Sequence, residues 1–351
     1  MPDNTPLTLD THPDAGPDPR PDDQRWMTRA LAAAATARLR TAPNPWVGAV
    51  VVCRDGRAFD GATEPPGQRH AERVALDAAA AAGAEVRGAT VFTTLEPCSH
   101  HGRTPPCVDA LAAAGVARVV TALTDPDAKV AGRGHTILTA AGIIVDEGVC
   151  AAEAAEQLHA YLHHRRTGRP YVVLKLAATL DGRTAAADGS SQWITGPEAR
   201  AEVHRLRTES GAVIVGAGTV RIDDPSLTVR HVDGPDPRRV VLGTAPSDAK
   251  VHPCLEWSGP IPELLDQLGA DGVLQVLVEG GATVAAGFHR AGLVDRYVVH
   301  LAPALMGGDD GAAMFTGLGV PTMAHLWRGR IISVRPLGPD LEIQLVPQEH
   351  T

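Results

Sequence analysis

The sequence predicts a two-domain α/β protein, and three observations carry that expectation. Short strands rich in Val, Ile and Leu alternate with Ala- and Leu-rich helical segments along nearly the whole chain, an order that builds a sheet with helices on its faces. The stretch RTGRP breaks this alternation once, near Thr167 to Pro170, and a second α/β series starts at Tyr171. The length, 351 residues, suits two domains of ordinary size.

In order, residues 1–21 are rich in Pro and Asp, poor in large apolar residues, and read as a disordered arm. Asp23 to Arg40 follows as an Ala-rich helix. In NPWVGAVVVCRDG a turn leads into a strand from Val47 to Cys53, closed by a hairpin turn at Asp55-Gly56. RHAERVALDAAAAAG is a helix ending at Gly83. ATVFTTLEP is a strand broken by Pro97, which has no N–H to give to a ladder. TPPCVDALAAAG is a helix with Cys107 in its first turn, and VARVVTALTDP is a third strand. GHTILTAAG and IIVDEG give a further helix and strand, and a helix from Ala151 to Arg166 closes the first half.

The second half opens with YVVLKLAATLDG as a strand and turn, then GPEARAEVHRLRTES as a helix led in by Gly-Pro. GAVIVGAGTV is a strand entering a Gly-rich turn, RRVVLG a strand, and PIPELLDQLG a helix. VLQVLVEGG is a strand running into a second Gly-rich turn, followed by ATVAAGFHRAG as a helix and by VDRYVVHLAP and LEIQLVP as strands.

Composition narrows the function classes. Hydrophobic residues make up 44% of the chain but aromatics only 3%, so Ala, Val and Leu must fill the cores. A net charge of -9 argues against a general nucleic-acid binder, which needs a basic face to neutralise phosphates. A small phosphorylated substrate needs only two or three local cations. No run of about 18 apolar residues is present to span a bilayer. The five cysteines are irregularly spaced and form no disulfide framework. With no apolar signal at the start, the reducing cytoplasm is the expected compartment.

Four residues carry the sharpest chemical pattern. His70-Ala71-Glu72 opens a helix, Cys98 follows the strand-breaking Pro97, and Cys107 starts the next helix. A catalytic zinc takes three protein ligands and leaves one position for water, and one imidazole with two thiolates suits it. Zinc base deaminases add a Glu that is not a ligand and acts as general acid/base, a place that Glu72 can take. Spacing alone leaves the matter even. H-x-E is a weak signal, a buried Cys is usually a small core residue, and the eight residues between Cys98 and Cys107 exceed the usual C-x-x-C. The position of both ligand groups at element ends favours a site. His100 and His101 are rival ligands or substrate contacts, while Cys53, Cys150 and Cys254 read as core or surface thiols.

TLEPCSHHGRTPPC closely resembles the signature of the bifunctional riboflavin-biosynthesis deaminase–reductase family, in which the wide Cys spacing is the normal form. NPWVGAVVV and HAE upstream, and DPDAKVAGRGHTIL downstream, match it in the same order, and the resemblance runs from about Asp22 to the C-terminus. It implies a cytidine-deaminase-like α/β/α sandwich over residues 22–166 and a dihydrofolate-reductase-like α/β domain over residues 170–351. It also implies one Zn2+ per chain on His70, Cys98 and Cys107, with Glu72 catalytic. The implied first reaction is hydrolytic removal of the 2-amino group of 2,5-diamino-6-ribosylamino-4(3H)-pyrimidinone 5′-phosphate, giving the uracil derivative and ammonia. By the same resemblance Asn44 hydrogen-bonds the base, and His100 and Arg103 hold polar groups and the phosphate. On their own, Asn44-Pro45 reads as a plain turn and Arg103 as a solvated loop charge.

The second half offers two Gly-rich turns after apolar strands, Gly216-Ala217-Gly218-Thr219 and Glu279-Gly280-Gly281-Ala282-Thr283. Such turns bring backbone N–H groups to phosphates, and the second precedes a helix N-terminus. Neither is a G-x-G-x-x-G, and tight structural turns stay open as the alternative. LKLAATLDGRTA, SQWITG, TVRIDDPSLTVR and VEGGATVAAGF resemble the reductase half of the same family. That resemblance implies NADPH, opening of the ribosyl ring and hydride delivery to C1′, leaving a ribityl chain. Carried over by position, Ala177, Trp193, Thr219, Asp223, Gly281, Ala282, Thr283, Val284, Ala285, Ala286 and Gly287 line the cofactor. Ser191, Arg207, Leu227, Arg230 and Glu279 line the substrate, and Lys175 lies nearest the hydride transfer.

By residue type, Arg207 and Arg230 can grip a phosphate with forked donors, and Glu279 can accept from sugar hydroxyls. The bland alternatives are a turn at Asp223-Asp224-Pro225, a core Trp193 and a surface charge at Arg207. One departure from the resemblance stands out: the family usually has an acidic residue after this strand, where Gly243 stands at the end of RRVVLG, and the stretch from Thr244 to Pro260 is short. It keeps open a deaminase whose second domain has lost cofactor binding. The family also implies a homodimer or homotetramer.

Overall fold

The structure is a computed structural model, and it describes residues 21–100, 105–127 and 130–348. The arm expected over residues 1–21 therefore lies outside the described residues except for Pro21, which opens the first helix. The chain divides into two compact units. One holds the described residues up to Ala37 together with Trp46–Gln157; the other holds Arg38–Pro45 and the chain from Leu158 onward.

The first unit runs α1 (Pro21–Ala35), β1 (Gly48–Val52), β2 (Ala58–Ala62), α2 (Ala71–Ala81), β3 (Thr90–Thr93), α3 (Cys107–Ala114), β4 (Arg118–Thr121), α4 (Arg133–Ala140), β5 (Ile144–Glu147) and α5 (Ala151–Gln157). Its sheet has the order β2-β1-β3-β4-β5. β1 pairs antiparallel with both β2 and β3, whereas β3, β4 and β5 are parallel and joined by the crossover helices α3 and α4. Met27, Ala30, Val50, Phe92 and Val120 fill the core. Small residues let helix and sheet come very close. A Cβ on Gly61 of β2 would lie 2.1 Å from the Ala71 carbonyl oxygen, so the first turn of α2 rests directly on the strand. α1 ends earlier than the pattern to Arg40 suggests, in tight turns from Ala33 to Thr36 and from Ala34 to Ala37.

The second unit runs α6 (His159–Thr167), β6 (Tyr171–Thr179), β7 (Arg183–Ala185), α7 (Pro197–Glu209), β8 (Ala212–Gly216), α8 (Ala217–Asp223), β9 (Arg238–Leu242), β10 (Leu255–Trp257), α9 (Ile261–Ala270), β11 (Gln275–Val278), α10 (Ala282–Arg290), β12 (Arg296–Ala302), β13 (Ala312–Ala313), β14 (Gly329–Leu337) and β15 (Asp340–Pro347). The large sheet has the order β10-β9-β8-β11-β6-β12-β15-β14. Its strands are parallel from β10 to β12, and β15 and β14 then add antiparallel. β7 and β13 make a small separate ribbon. Successive side chains of a strand point to opposite faces. Accordingly Val172, Leu174 and Ile214 join Leu264 and Phe288 in one core, while Val173, Val213 and Val215 join Leu206 and Val220 in another. Both faces of the parallel sheet are thus covered, as its near-continuous apolar strands require.

Three expectations change. The helix from Ala151 to Arg166 is two helices, broken at the buried Leu158, whose φ of -102° and ψ of 14° leave the helical region. GAVIVGAGTV continues past its strand into the short helix α8 instead of an open turn. β14 was hidden because GRIISVRPL mixes Arg with Ile and Val and carries Pro336; as an edge strand it tolerates the missing N–H. Among the described residues no helix is long and apolar enough to cross a membrane.

Candidate active sites

The first site is built where β3 ends and α2 and α3 begin. His70 is the residue before α2 and Cys107 is the first residue of α3. Cys98 comes from the loop after β3, not from a strand end as the sequence suggested. The strand stops at Thr93, whose hydroxyl turns to the Leu95 carbonyl, and the Glu96 N–H bonds the Leu123 carbonyl. The His70 Nδ1 lies 3.4 Å from Cys98 Sγ and 3.5 Å from Cys107 Sγ. A tetrahedral zinc with bonds of about 2.0 Å to nitrogen and about 2.3 Å to sulfur holds those atoms about 3.5 Å apart. The three residues therefore fit a zinc ion without rearrangement. His100, the rival ligand among the described residues, is exposed and stands outside this cluster. His101 and Arg103 lie outside the described residues.

Electrostatics agree with the donor set. The Cys107 thiol, the His70 ring and the Cys107 N–H at 3.3 Å all bond Cys98, and they hold its thiol low against the opposing pull of burial. Cys107 is pushed up by donating to Cys98 and by burial. A dication at this point favours the second thiolate as well. Glu72, in the first turn of α2, is 3% exposed, and burial followed by the Cys98 charge pushes its carboxyl upward. A carboxyl raised in this way holds a proton more readily than an ordinary carboxylate, which suits it to both taking and giving one.

Glu96 supports this site and was missed by sequence reasoning. It is buried, and its carboxylate accepts the N–H groups of Asp125 at 3.1 Å, Gly132 at 2.9 Å and Gly134 at 2.8 Å. One side chain thereby ties the Cys98 loop to the segment leading into α4. The only signal in the sequence was its place two residues before Cys98 in TLEPC. Asn44 is half-buried, its N–H bonded to the Thr41 carbonyl at 2.7 Å, in the segment Arg38–Pro45 that groups with the second unit.

In the second unit the two Gly-rich turns come together. β8 and β11 are parallel neighbours, so the segments after their C-terminal ends meet. A Cβ on Gly216 would lie 2.9 Å from the Val284 side chain, and one on Gly280 only 2.5 Å from it. A Cβ on Gly281 would stand 3.6 Å from the Thr219 hydroxyl. The N-terminus of α10 and its preceding glycines thus lie against the start of α8, leaving N–H groups that suit a phosphate. Gly281, Ala282, Thr283 and Val284 keep some exposure there, as does Gly287. Ala285 and Ala286 do not: both are buried, as helical periodicity places them away from the exposed side of α10. Trp193 is 71% exposed with the Arg200 guanidinium 4.6 Å from its ring centre, so it is no core residue. Asp223, beside Gln192, closes α8, and burial raises its carboxyl.

Arg207 is buried, not a surface charge. Its Nε and one terminal nitrogen grip both oxygens of Glu279 at 2.6 and 2.7 Å, and the other bonds the Thr228 carbonyl at 3.0 Å. The fork assigned to phosphate is therefore engaged with Glu279, and the pair is a preformed polar wall. Arg230 is exposed and donates to the hydroxyls of Ser226 at 2.7 Å and Thr228 at 3.0 Å, so it keeps donors for an anion. Leu227 is buried with φ +53°, and Ser191 is half-buried. Lys175, on β6, is lowered by burial; Glu279 opposes and Arg207 adds to that shift. Ala177 follows two residues on, paired with His300 of β12. Burial lowers His300; its Nε2 lies 3.1 Å from Glu342, and both residues are fully buried. Against the pull of burial, His300, Arg335 and Gln344 hold Glu342 down to about 2. After Gly243, with φ +98°, the short stretch 244–260 still returns to form β10 beside β9.

Residues 20–123 match the family described as cytidine and deoxycytidylate deaminase zinc-binding region, and residues 170–343 match the RibD C-terminal domain. The riboflavin biosynthesis protein RibD of Escherichia coli is 40% identical over 368 residues, covering 92% of this chain and 99% of its own. The protein of the same name from Mycobacterium tuberculosis is 43% identical over 326 residues, covering 87% of this chain and 92% of its own. Among solved structures, Acinetobacter baumannii RibD superposes with a TM-score of 0.86 at 39% identity, covering 93% of this chain and 99% of that one. A Thermotoga maritima protein described as a diaminohydroxyphosphoribosylaminopyrimidine deaminase/5-amino-6-(5-phosphoribosylamino)uracil reductase superposes at 0.84 with 32% identity and the same coverage.

Proposed function

The chain belongs to the bifunctional deaminase–reductase family of riboflavin biosynthesis, and from that premise we propose how its residues divide two successive reactions on one pyrimidine nucleotide precursor. The first unit deaminates 2,5-diamino-6-ribosylamino-4(3H)-pyrimidinone 5′-phosphate; the second reduces the ribosyl group of the product with NADPH. The observation that carries the first step is the convergence of one imidazole nitrogen and two sulfurs beside the buried Glu72.

His70, Cys98 and Cys107 would hold one Zn2+, which supplies Lewis-acid activation of a water molecule when bound. Glu72 takes a proton from the attacking water and passes it to the ring nitrogen. It then takes the second proton from the added hydroxyl and gives it to the amino group, which leaves as ammonia as the carbon–nitrogen bond breaks and the carbon–oxygen double bond forms. Asn44, His100 and Arg103 are proposed contacts to the base and phosphate.

In the second unit the Gly216–Thr219 and Gly281–Val284 segments, with Trp193 and Asp223, are proposed to bind NADPH, which supplies the hydride. Lys175, with its proton affinity reduced by burial, is proposed to orient the ring-opened imine while hydride adds at C1′ and a solvent proton goes to nitrogen. Arg230, Ser191, Leu227 and the Arg207–Glu279 pair are proposed to face the sugar phosphate. A deaminase with a silent second domain gains no support from these residues, since both Gly-rich turns and the Arg207–Glu279 pair are intact.

The test is zinc content measured together with turnover of the diaminopyrimidine phosphate, with and without NADPH. Zinc-loaded protein should release ammonia without NADPH and oxidise NADPH only after deamination. An active deaminase that never oxidises NADPH with the deaminated product refutes the bifunctional reading.

A further inference from the structure

We propose a second metal site, at the edge of the large sheet of the second unit, in which His252, Cys254 and Glu256 bind a divalent transition-metal ion of the zinc class. Glu256 lies in β10, and His252 and Cys254 lie in the segment that leads into it. One ligand atom from each, an imidazole nitrogen, a sulfur and a carboxylate oxygen, lies within 4.8 Å of the others. The His252 Nδ1 stands 3.5 Å from Cys254 Sγ, the separation that a tetrahedral zinc imposes on a nitrogen and a sulfur ligand. The same separation recurs between His70 and Cys107 in the deaminase cluster.

The outer bonds of the ligands are already in place. The His252 Nε2 lies 2.9 Å from the Pro246 carbonyl oxygen. A carbonyl can only accept, so Nε2 carries the proton and Nδ1 presents its lone pair toward Cys254. Glu256 Oε1 accepts the Ala245 N–H at 2.9 Å, which orients the carboxylate and leaves the second oxygen. Both anchors come from adjacent residues of one loop, so the loop 244–249 presets two ligands together. Arg239 donates to the His252 carbonyl at 3.3 Å and fixes the backbone of the first ligand. With one sulfur where the deaminase cluster has two, this site is the weaker of the pair. A thiolate and an imidazole select zinc-class ions over magnesium or calcium, and three protein ligands leave a position for water or a fourth ligand.

The experiment uses the full chain, equilibrated with zinc at free concentrations set by a chelator buffer, then assayed for bound zinc and for alkylation of each cysteine. The wild type should take up a second zinc per chain at higher free zinc than the first. At about ten times the half-saturating concentration, alkylation of Cys254 should slow about ten-fold. Cys254→Ser and His252→Ala should each bind only the first zinc, with circular dichroism reporting the fold, whereas Cys150→Ser should bind both. Saturation of the wild type at one zinc, retention of both by Cys254→Ser, or a Cys254 that zinc does not protect would overturn the proposal and leave a plain thiol–imidazole hydrogen bond.

Discussion

Replacing Glu96 by Gln removes one acceptor oxygen from a carboxylate that receives three backbone N–H groups. Oε2 serves Asp125 and Gly132, and Oε1 serves Gly134. A glutamine keeps one oxygen, so its NH2 must face at least one of these donors. A hydrogen bond to a charged group contributes about 1.5–3 kcal/mol, and a buried donor left unpaired costs about 1–3 kcal/mol. These overlap, because the same N–H is counted in both, and a loss of about 2–4 kcal/mol follows for the local structure. Amide hydrogen exchange reads it directly. If opening and reclosing are fast, the amides of Asp125, Gly132 and Gly134 should exchange about 30- to 1000-fold faster in the variant. Amides of the β6 to β12 core of the second unit should not change. Zinc affinity should fall with them, since the Cys98 loop loses its tie. Unchanged exchange at all three amides, with unchanged zinc affinity, would refute the assignment of Glu96 as the brace of the metal loop.

Three further outcomes are expected. Glu72→Gln should lower deamination by about 10²- to 10⁴-fold while bound zinc, measured in the same sample, stays at the wild-type level. Gly280→Ala places a Cβ 2.5 Å from Val284, and pushing the first turn of α10 aside should raise the KM for NADPH about ten-fold at unchanged ammonia release. Steady-state kinetics of the two half-reactions separates these effects. For Glu342 the folded value of about 2 lies below the ordinary carboxylate range, so its stabilisation is full above the unfolded value and is lost as pH falls through about 2. Glu342→Gln should therefore flatten the acid side of the stability profile between about pH 4.5 and pH 2 by no more than about 3 kcal/mol, followed by urea unfolding at stepped pH.

How much was legible in the sequence depends on the range of the interaction. Alternating apolar patterns are local, and they sufficed to place β1, β3, β4, β6, β8, β9, β11, β12 and β15 and most helices. The candidate metal ligands were legible because His70, Cys98 and Cys107 are chemically rare types standing next to element boundaries, and the flanking TLEPC and TPPC made the pattern specific. The Gly-rich turns were legible as turns for the same local reason. Their juxtaposition was not: it requires that β8 and β11 be neighbours in the sheet, though they are far apart in the chain. The pairing of Arg207 with Glu279 was not legible either, because it joins residues far apart in the chain. Glu96 looked like any loop acid, because its three donors lie 29, 36 and 38 residues downstream. The break at Leu158 and the edge strand β14 likewise answer to packing, not periodicity. Sequence alone determined which family of chemistry the chain carries and singled out the three side chains that the fold brings together as a candidate zinc cluster. Only the tertiary structure decided which donors remain free for a ligand, because a hydrogen-bonding group is committed or available according to what the fold brings beside it.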